Sequence, residues 1–420
     1  MKLSLIEEVF DFALNVLVIN QFASAPAYNT GAGERHYYLA SKLAASKIEF
    51  SIVSGGVNHL FEKDPVTNNL FNEESIEGGR LVWVRLRKYK PDSFIGRSFS
   101  WFEFLIKLYF LPVKKRLKPD LVLVSSMSLW SAIYGIYLKS RLGIPFILEI
   151  RDIWPLTPVE VGGISKNHPF IVLFKALEKY VYKRADHIIS LMPRFDLHLN
   201  NTIRTKIPVS WIPNAIEPGL LKADANESSI FNSDRFSIVY AGALGYANSM
   251  ECFIRAAELL HKKPIEFYII GNGPQKQDLI SLAFNSNNIR FIDKMSKGAV
   301  LNILKQADAG FISWMDLSLY QFGVSANKYN DYMLAGLPII SASNIPDDPV
   351  CIANCGFRVP AGNAEKIAEA IQKLSEMTQG ERKLLGENGR NYVLKHNTYE
   401  VIAEKYETCL IKVVSRGKKC

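Results

Sequence analysis

The sequence predicts an α/β protein built from two Rossmann-like, doubly wound domains that face each other across a cleft. Two observations predict this fold class. Short apolar runs have the character of buried parallel strands, and each half of the chain begins with the same order of strand, glycine loop and helix. In the first half, residues 14–20 precede a loop containing Gly31 and Gly33. In the second, residues 236–242 precede a loop containing Gly245.

Length and composition are those of a globular protein with an anionic partner. The chain has 420 residues, of which 48% are hydrophobic and 22% charged, and its net charge is +9. This excess of positive charge favours a membrane surface, nucleic acid or a phosphorylated substrate. The N-terminus carries acidic residues where a signal peptide would be apolar, and no run of 18 apolar residues occurs. We therefore expect a cytoplasmic protein without a spanning helix.

The domain boundaries follow from changes in composition. We predict an N-terminal domain over residues 1–214, a polar linker over 215–235 and a second domain over 236–396. A last amphipathic helix, over 397–420, either returns to the first domain or completes the second. The five cysteines are few, odd in number and without a zinc-binding pattern, which favours reduced thiols.

The first domain offers two groups of candidate ligand-binding residues. Gly33 would allow the backbone to approach a ligand near a helix N-terminus. The run is not a full G-x-G-x-x-G, because position 36 is a histidine, so a nicotinamide site has little support. Arg151, Asp152 and Trp154 follow the strand at 145–150, where open α/β sheets bind ligands. Arg151 suits phosphate and Asp152 suits an acceptor, although a lone aspartate there often caps a helix.

Residues 85–118 have the composition of an interfacial membrane element. Ten lysines and arginines face only two acidic residues, with aromatic and aliphatic side chains between them. We expect Trp101, Lys114, Lys115 and Arg116 to contact an anionic membrane surface. A core helix with a solvated basic flank is the main alternative, and binding to single-stranded nucleic acid is another. We do not expect a nucleic-acid partner.

The second domain contains a stretch suited to a nucleotide. Residues 323–340 predict a small polar turn, a short helix that ends at Gly336, and a strand. Lys328 and Asp331 are its charged groups. A cation suits phosphate and a carboxylate suits ribose hydroxyls, although ordinary surface charges would look the same. Upstream, Asn248 stands three residues before Glu251, as in a capping box.

No metal-ligand spacing or Asp-x-Asp pair occurs in the chain. An enzyme acting on a nucleoside diphosphate would then neutralise its leaving group with backbone amides, helix dipoles and lysine or arginine side chains. We accordingly expect no cofactor and no metal ion.

The motifs together resemble glycosyltransferase family 4, retaining enzymes of the GT-B fold. The most specific part is Ser325-x-x-Lys328-x-x-Asp331-Tyr332-Met333-x-Ala335-Gly336-x-Pro338. It is similar to a block of the branch that transfers N-acetylated aminodeoxy sugars in O-antigen and capsule assembly. Supporting segments have these sequences: Tyr240-Ala241-Gly242-x-Leu244-Gly245, Gly271-x-Gly273-Pro274, Arg151-Asp152-x-Trp154-Pro155 and Ile212-Pro213-Asn214.

The resemblance implies a role for each candidate residue. Asp331 stands where the second Glu of the family's E-x7-E motif binds ribose. The remaining donor-binding positions are Gly33, Gly242, Gly245, Asn248, Gly271, Met295, Gly323, Val324, Ser325 and Lys328. The catalytic candidates are Asp152, Lys328 and Asp331, with the departing phosphate oxygen taking the acceptor proton.

The chain departs from the family pattern at three places, one of which is Asn330, where an aromatic residue is usual. Gly323 occupies the position of the first Glu, so that contact to the donor sugar is absent or remade. The usual Arg and Lys after the first strand of the second domain are missing, with Asn248 and Ser249 nearby, and Lys328 is the replacement charge.

The resemblance implies transfer of a sugar from a UDP-sugar to a polyprenyl-diphosphate-linked saccharide at the inner face of the membrane. Two alternatives stay open. One is a non-hydrolysing UDP-sugar 2-epimerase, which shares the fold, and the other is an inactive binding protein with the same fold.

Overall fold

The fold is described from a computed structural model, which covers residues 13–28, 33–58, 61–90, 94–126, 129–221 and 230–417. Gly31, Cys420 and the middle of the predicted linker lie outside these residues. The chain forms two compact units. The first takes in the described residues up to Pro213 and those from Tyr399 onward, and the second runs from Asn214 to Thr398.

Helices separate most strands of the first unit, although the second, third and fourth strands follow one another with no helix among the described residues between them. The strands are β1 (Leu14–Ile19), β2 (Ile48–Gly55), β3 (Phe71–Ile76), β4 (Gly79–Val84), β5 (Leu121–Ser126), β6 (Phe146–Ile150), β7 (His187–Ser190) and β8 (Val209–Trp211). The helices are α1 (Arg35–Leu43), α2 (Phe94–Leu108), α3 (Val113–Arg116), α4 (Trp130–Leu142), α5 (Leu156–Glu160), α6 (Pro169–Tyr182) and α7 (Phe195–Thr202).

These strands form one sheet in the order β3-β4-β2-β1-β5-β6-β7-β8. Each neighbouring pair is parallel except β3 and β4, which are antiparallel. The central strands are buried on both faces, which explains their continuous apolar sequences. The strand order reverses between β1 and β5, and ligands of doubly wound sheets bind at such a switch point.

The second unit repeats the plan over Asn214–Thr398. Its strands are β9 (Phe236–Ala241), β10 (Ile265–Ile270), β11 (Ile289–Ile292), β12 (Ala309–Ser313), β13 (Ile339–Ala342) and β14 (Gly356–Val359). Its helices are α8 (Glu251–Leu259), α9 (Lys276–Leu282), α10 (Lys297–Leu304), α11 (Asn327–Ala335), α12 (Pro349–Ala353), α13 (Ala364–Glu376) and α14 (Gln379–His396).

The second sheet is parallel, in the order β11-β10-β9-β12-β13-β14, which is the Rossmann arrangement. Alternate residues of β9 enter different cores. Ile238 and Tyr240 pack with α8 and α13, whereas Val239 and Ala241 pack with α10 and α11. The switch point lies between β9 and β12. Both units therefore have the α/β class and strand arrangement that the sequence predicts.

One boundary differs from the predicted one, and the last helix takes the first of its two predicted positions. The described part of the predicted linker belongs to the second unit, where Ile216 pairs with Thr398 and Leu220 packs against the core. The last helix, α15 (Tyr399–Gly417), belongs to the first unit and packs against α1.

Candidate functional site

The loops that follow β9 and β10 pack closely on each other at the carboxyl edge of the second sheet. The Gly242 amide donates to Ile270 O, and the Leu244 amide donates to Asn272 O. A Cβ at Gly271 would come within 1.9 Å of Gly242 O, so only glycine fits there. A Cβ at Gly245 would instead meet open space. Packing therefore explains why residue 271 is a glycine, whereas Gly245 lies on the open side of the loop.

Lys328, near the start of α11, reaches beneath the β9 loop. Its Nζ donates to Tyr240 Oη at 2.7 Å and to Asn248 Oδ1 at 2.5 Å. The same Nζ lies 4.4 Å from the centre of the Tyr240 ring, a cation–π distance. A Cβ at Gly242 would lie 2.4 Å from Lys328 Cε, so glycine at 242 makes room for this lysine.

The charge state of Lys328 is sensitive to its surroundings. Burial lowers the pKa of Lys328 to about 7, and the carboxylate of Asp331 opposes this shift. An anion that binds beside the ammonium would raise the pKa again. Lys328 therefore has the chemistry of a cation whose charge is stabilised by a phosphate ligand.

Asn248 supports this lysine, and the predicted capping box is wrong. The Asn248 side chain accepts from Lys328 and donates through Nδ2 to Ala243 O at 3.0 Å. The helix after it begins at Glu251, with no side-chain cap, because Ser249 between them takes a left-handed conformation. Asn248 thus holds the loop and Lys328 together.

Asp331, one helical turn after Lys328, forms an ion pair with Lys297 at the start of α10. Its side chain is 12% exposed and that of Lys297 is 17% exposed, so both can still meet a ligand. Burial raises the pKa of Asp331, while Lys297 and Lys328 oppose the increase. Lys297 and a protonated Lys328 leave this group with one excess positive charge, which suits a diphosphate.

Ser325 and Asn330 anchor α11 to the chain that enters this unit. Ser325 Oγ accepts from the Asn214 amide at 2.7 Å, and Asn330 donates to Asn214 O at 3.1 Å. Asn397 in turn donates to Asn330 Oδ1 at 3.0 Å. The Ser325 hydroxyl is thus occupied within the protein. No side chain caps α11 at Ala326.

The backbone conformation at Gly323 disfavours a glutamate, which is the residue that the family resemblance would place here. It follows the short helical turn Ser318–Phe322 with φ 86° and ψ 177°, a region that side-chain-bearing residues avoid. A glutamate at this position would therefore be strained. Val324 beside it packs against the core, as does Met295 before α10.

At the corresponding edge of the first sheet lies a buried charge cluster centred on Glu149. Glu149 Oε1 accepts from Arg35 Nε at 2.9 Å and from Tyr406 Oη, and Oε2 lies 3.1 Å from His36 Nε2. Burial alone would raise the pKa of Glu149, but the guanidinium of Arg35 holds it well below its usual value. The remaining Arg35 donors bind Ile212 O and Pro213 O.

Asp152, predicted as a catalytic residue beside Arg151, makes two hydrogen bonds within its own turn. Asp152 Oδ1 accepts from the Ile153 amide at 2.9 Å and from Thr157 Oγ1 at 2.6 Å. These contacts stabilise the turn before α5, and the alternative of a helix cap is wrong, because the N-cap residue of α5 is Pro155 and no side chain caps it. Burial raises the pKa of Asp152, and the two hydrogen bonds oppose that increase. A catalytic role for Asp152 stays a prediction.

Trp101 is not a membrane contact, and its prediction as one is wrong. It is 5% exposed and packs in an aromatic cluster with Phe22 and Phe174, beside Trp154. Lys114, Lys115 and Arg116 are exposed, as predicted. Gly33 has φ 82°, and a Cβ there would lie 2.5 Å from Phe22 O, so glycine is required by packing.

Residues 99–116 and 172–183 of the first unit carry exposed apolar and basic side chains, and we call this set of side chains the basic aromatic face. Its exposed apolar members are Phe99, Phe102, Ile106, Phe110, Val172, Leu173 and Tyr180. Its exposed cations are Lys114, Lys115, Arg116, Lys175, Lys179 and Lys183. Among the described residues, no helix is both long and apolar enough to cross a bilayer.

Sequence reasoning missed three charged partners. Lys297, Arg35 and Glu149 are separated from their partners by 34 or 114 positions and stand in no recognisable motif. Arg35 follows a glycine loop and Lys297 follows the helix-capping Ser296, which were the available signals. Within the described ranges, no group of three or more His, Cys, Asp or Glu residues could hold a metal ion.

Comparison with known families identifies the class. Residues 30–215 match a "Glycosyl transferase 4-like domain" and residues 235–377 match "Glycosyl transferases group 1". The two matches fall on the two units described above. The protein is therefore a glycosyltransferase with the GT-B fold.

Individual relatives are distant. The chain is 20% identical over 423 residues to the probable glycosyltransferase WbjE of Pseudomonas aeruginosa, covering 96% of this chain and 99% of WbjE. It is 26% identical over 254 residues to the putative colanic acid biosynthesis glycosyl transferase WcaI of Escherichia coli K12, covering 56% and 61%. Anabaena HepE, solved with UDP and glucose, has 13% identity and a TM-score of 0.64 over 94% of this chain and 99% of HepE.

Proposed function

We propose that this glycosyltransferase moves a sugar from a UDP-sugar, preferably an N-acetylated aminodeoxy sugar, to a polyprenyl-diphosphate-linked saccharide in O-antigen or capsule synthesis. The observation that carries the donor half is the arrangement of Lys328, Asp331 and Lys297 at the carboxyl edge of a Rossmann-like sheet. The complex of HepE with UDP and glucose supports a nucleotide-sugar donor. The name of WcaI supports a role in polysaccharide synthesis.

The donor would lie across the switch point of the second unit. Its diphosphate would be held by amides of the β9 loop around Gly245, by the start of α11 and by Lys328. The ribose hydroxyls would donate to Asp331, whose position Lys297 fixes. Met295 and its loop would contact the base. No metal ion is needed in this arrangement, because amides, the helix dipole and lysine neutralise the leaving group, and EDTA should leave turnover unchanged.

The reaction would proceed with retention at the anomeric carbon. The departing phosphate oxygen would accept the proton of the acceptor hydroxyl, with both on the same face of the sugar. Lys328 would stabilise the negative charge that develops on the leaving diphosphate.

The acceptor would bind on the first unit, and the basic aromatic face would rest on the anionic cytoplasmic surface of the membrane. Exposed aromatic side chains beside lysines are the pattern of an interfacial element. The whole enzyme would then act as a peripheral protein at the inner face of that membrane.

Substitution of Asp331 tests the donor site. Asp331→Ala removes a charged acceptor of ribose hydroxyls and should weaken binding of UDP by about 10- to 100-fold, since hydrogen bonds to charged groups contribute about 1.5–3 kcal/mol. Isothermal titration with UDP measures this change. Asp234→Ala, at an exposed aspartate before β9, is the matched control and should bind UDP normally. Normal binding by Asp331→Ala would refute the site.

Turnover then separates the alternatives. Labelled UDP-N-acetylglucosamine and other UDP-sugars are incubated with and without a polyprenyl-diphosphate-linked saccharide. Transfer to the lipid supports the proposal. Conversion of the UDP-sugar without acceptor would show an epimerase, and binding without either reaction would show an inactive protein.

A further inference from the structure

We propose that the first unit contains a prenyl diphosphate site, in which Arg151 binds the diphosphate and aromatic side chains from Trp154 to Phe102 bind the hydrocarbon chain. The inference rests on the proposed function, because it names how the lipid part of the acceptor would be recognised. It is carried by the charge balance around Glu149 and by the position of the aromatic cluster.

The charge cluster around Glu149 contains one more cation than it can neutralise. Glu149 is fully buried, its Oε1 accepts from Arg35 and Tyr406, and its Oε2 lies 3.1 Å from His36 Nε2 without a hydrogen bond. Burial lowers the pKa of His36, so its ring is neutral at pH 7. Arg35 and Arg151 therefore share one carboxylate, which leaves a formal charge of +1 in a largely desolvated place.

Arg151 is the cation without a direct partner. Among the described residues its guanidinium makes no ion pair within 4 Å and no hydrogen bond, whereas Arg35 uses three nitrogens. The neighbouring Asp152 carboxylate forms no ion pair with Arg151 within 4 Å, and its contacts are with Ile153 and Thr157 instead. Burial lowers the pKa of Arg151, but a guanidinium keeps its proton at any physiological pH.

An uncompensated charge of this kind favours an anion. Leaving a partly buried guanidinium unpaired is costly, and a phosphate group offers the planar guanidinium two oxygens at once. Arg151 directly follows β6, so it lies at the edge where doubly wound sheets bind their ligands. It is also partly exposed, so a ligand can reach it.

Aromatic rings lead from this position to the surface. Trp154 follows Arg151 by three residues, and its ring centre lies 5.6 Å from that of Phe174. Phe174 lies 5.6 Å from Trp130, and Trp130 lies 4.6 Å from Phe102. Phe102 is 43% exposed on α2 and belongs to the basic aromatic face.

The combination specifies an amphiphile rather than a free anion. A phosphate-binding cation at one end of an aromatic path, and an exposed apolar face at the other, match a diphosphate head with a prenyl tail. A free diphosphate would use Arg151 alone. A nucleotide-sugar would use the second unit, where Lys328 and Asp331 lie.

The experiment measures binding of farnesyl diphosphate, inorganic pyrophosphate and farnesol to the full chain by titration calorimetry, with UDP present to fill the donor site. Wild type should bind farnesyl diphosphate at least tenfold more tightly than either fragment. Arg151→Met should weaken binding of farnesyl diphosphate and pyrophosphate by about 10- to 100-fold. Phe102→Ala should weaken binding of farnesyl diphosphate and farnesol by about 5- to 20-fold and leave binding of pyrophosphate unchanged.

Two controls keep the result interpretable. Arg151→Lys keeps the charge without the planar fork and should bind with intermediate affinity, and melting curves show that each variant is folded. UDP binding should be unchanged in Arg151→Met. Normal farnesyl diphosphate binding by that variant, or equal affinity of wild type for farnesyl diphosphate and pyrophosphate, would overturn the prenyl site. The UDP titration separately decides the donor site.

Discussion

At Lys328, burial makes the charge depend on pH close to neutrality. The lysine is charged below its pKa of about 7 and largely neutral above it, and a bound diphosphate favours the charged form. Affinity for UDP-N-acetylglucosamine should therefore be highest below pH 7 and fall as pH rises, by up to about tenfold per pH unit. The affinity stops falling once the pH exceeds the pKa of Lys328 in the complex, which the bound diphosphate raises.

Titrations between pH 6 and pH 9 test this expectation. Lys328→Arg should bind the UDP-sugar with little dependence on pH, because arginine stays charged throughout this range. Lys328→Met should bind weakly at every pH. If wild type gave the same flat curve as Lys328→Arg, Lys328 would not be the cation that binds phosphate.

The backbone angles of Gly323 explain why a glutamate at this position would be unfavourable. Its φ of 86° with ψ of 177° is a conformation that costs a side-chain-bearing residue about 1–3 kcal/mol. Gly323→Glu should lower the free energy of unfolding by that amount, measured by urea denaturation, and should not increase transferase activity. Gly380→Ala, in the exposed first turn of α14, is the control and should be neutral or slightly stabilising. Increased activity in Gly323→Glu would mean that the loop accommodates a glutamate and that this side chain contributes to the reaction.

Among the elements, α2 shows what a sequence pattern can and cannot predict. Its buried stripe of Trp101, Phe104 and Leu108 and its exposed Phe99 and Ile106 are equally hydrophobic. Periodicity predicts the helix but not which stripe faces inward, and for that reason Trp101 was assigned wrongly.

The same limit explains the rest of the site. Apolar runs and glycine loops predict the strands and α11, because these depend on neighbours in the chain. The pairs Lys297–Asp331 and Arg35–Glu149 depend on which strands lie side by side, and one sequence carries no such information. The cations of α6 were not identified from the sequence, because they are several positions apart in the sequence and come together only on one face of the helix.

The basic aromatic face should bind anionic membranes through both of its components. Phe99 is 73% exposed and Phe110 is 67% exposed, and Lys114, Lys115 and Arg116 follow them. Replacing both phenylalanines by serine, or the three cations by glutamine, should weaken binding to vesicles containing phosphatidylserine by about tenfold or more. Flotation with vesicles of graded composition measures this change.

A phenylalanine of the second unit provides the control for that experiment. Phe284 is 86% exposed, and Phe284→Ser should leave vesicle binding unchanged. The charge variant should differ from wild type only on anionic vesicles, whereas the aromatic variant should also bind neutral vesicles less. Equal vesicle binding by wild type and both variants would contradict the membrane prediction and support an ordinary solvent-exposed surface.

For the molecule as a whole, the order of the chain makes the first unit depend on its last helix. The second unit is continuous from Asn214 to Thr398, but the first is completed only by α15. Ile402, Tyr406 and Leu410 of α15 are fully buried. Tyr406 also donates to Glu149, so the end of the chain takes part in the charge cluster next to Arg151.

Tyr406→Phe should therefore destabilise the first unit without affecting the second. Glu149 would lose one donor while staying buried, at a cost of about 1–3 kcal/mol. The contribution of Glu149 to stability is present above its unfolded pKa and is lost as pH falls toward its depressed folded value, so the variant should differ most from wild type near neutral pH.

Thermal unfolding at pH 7 and pH 4, with and without UDP, measures the two units, because UDP should stabilise only the second. Tyr246→Phe, whose side chain is exposed, should melt like wild type. Unchanged melting of Tyr406→Phe at pH 7 would show that α15 contributes packing alone and that the charge cluster does not depend on it.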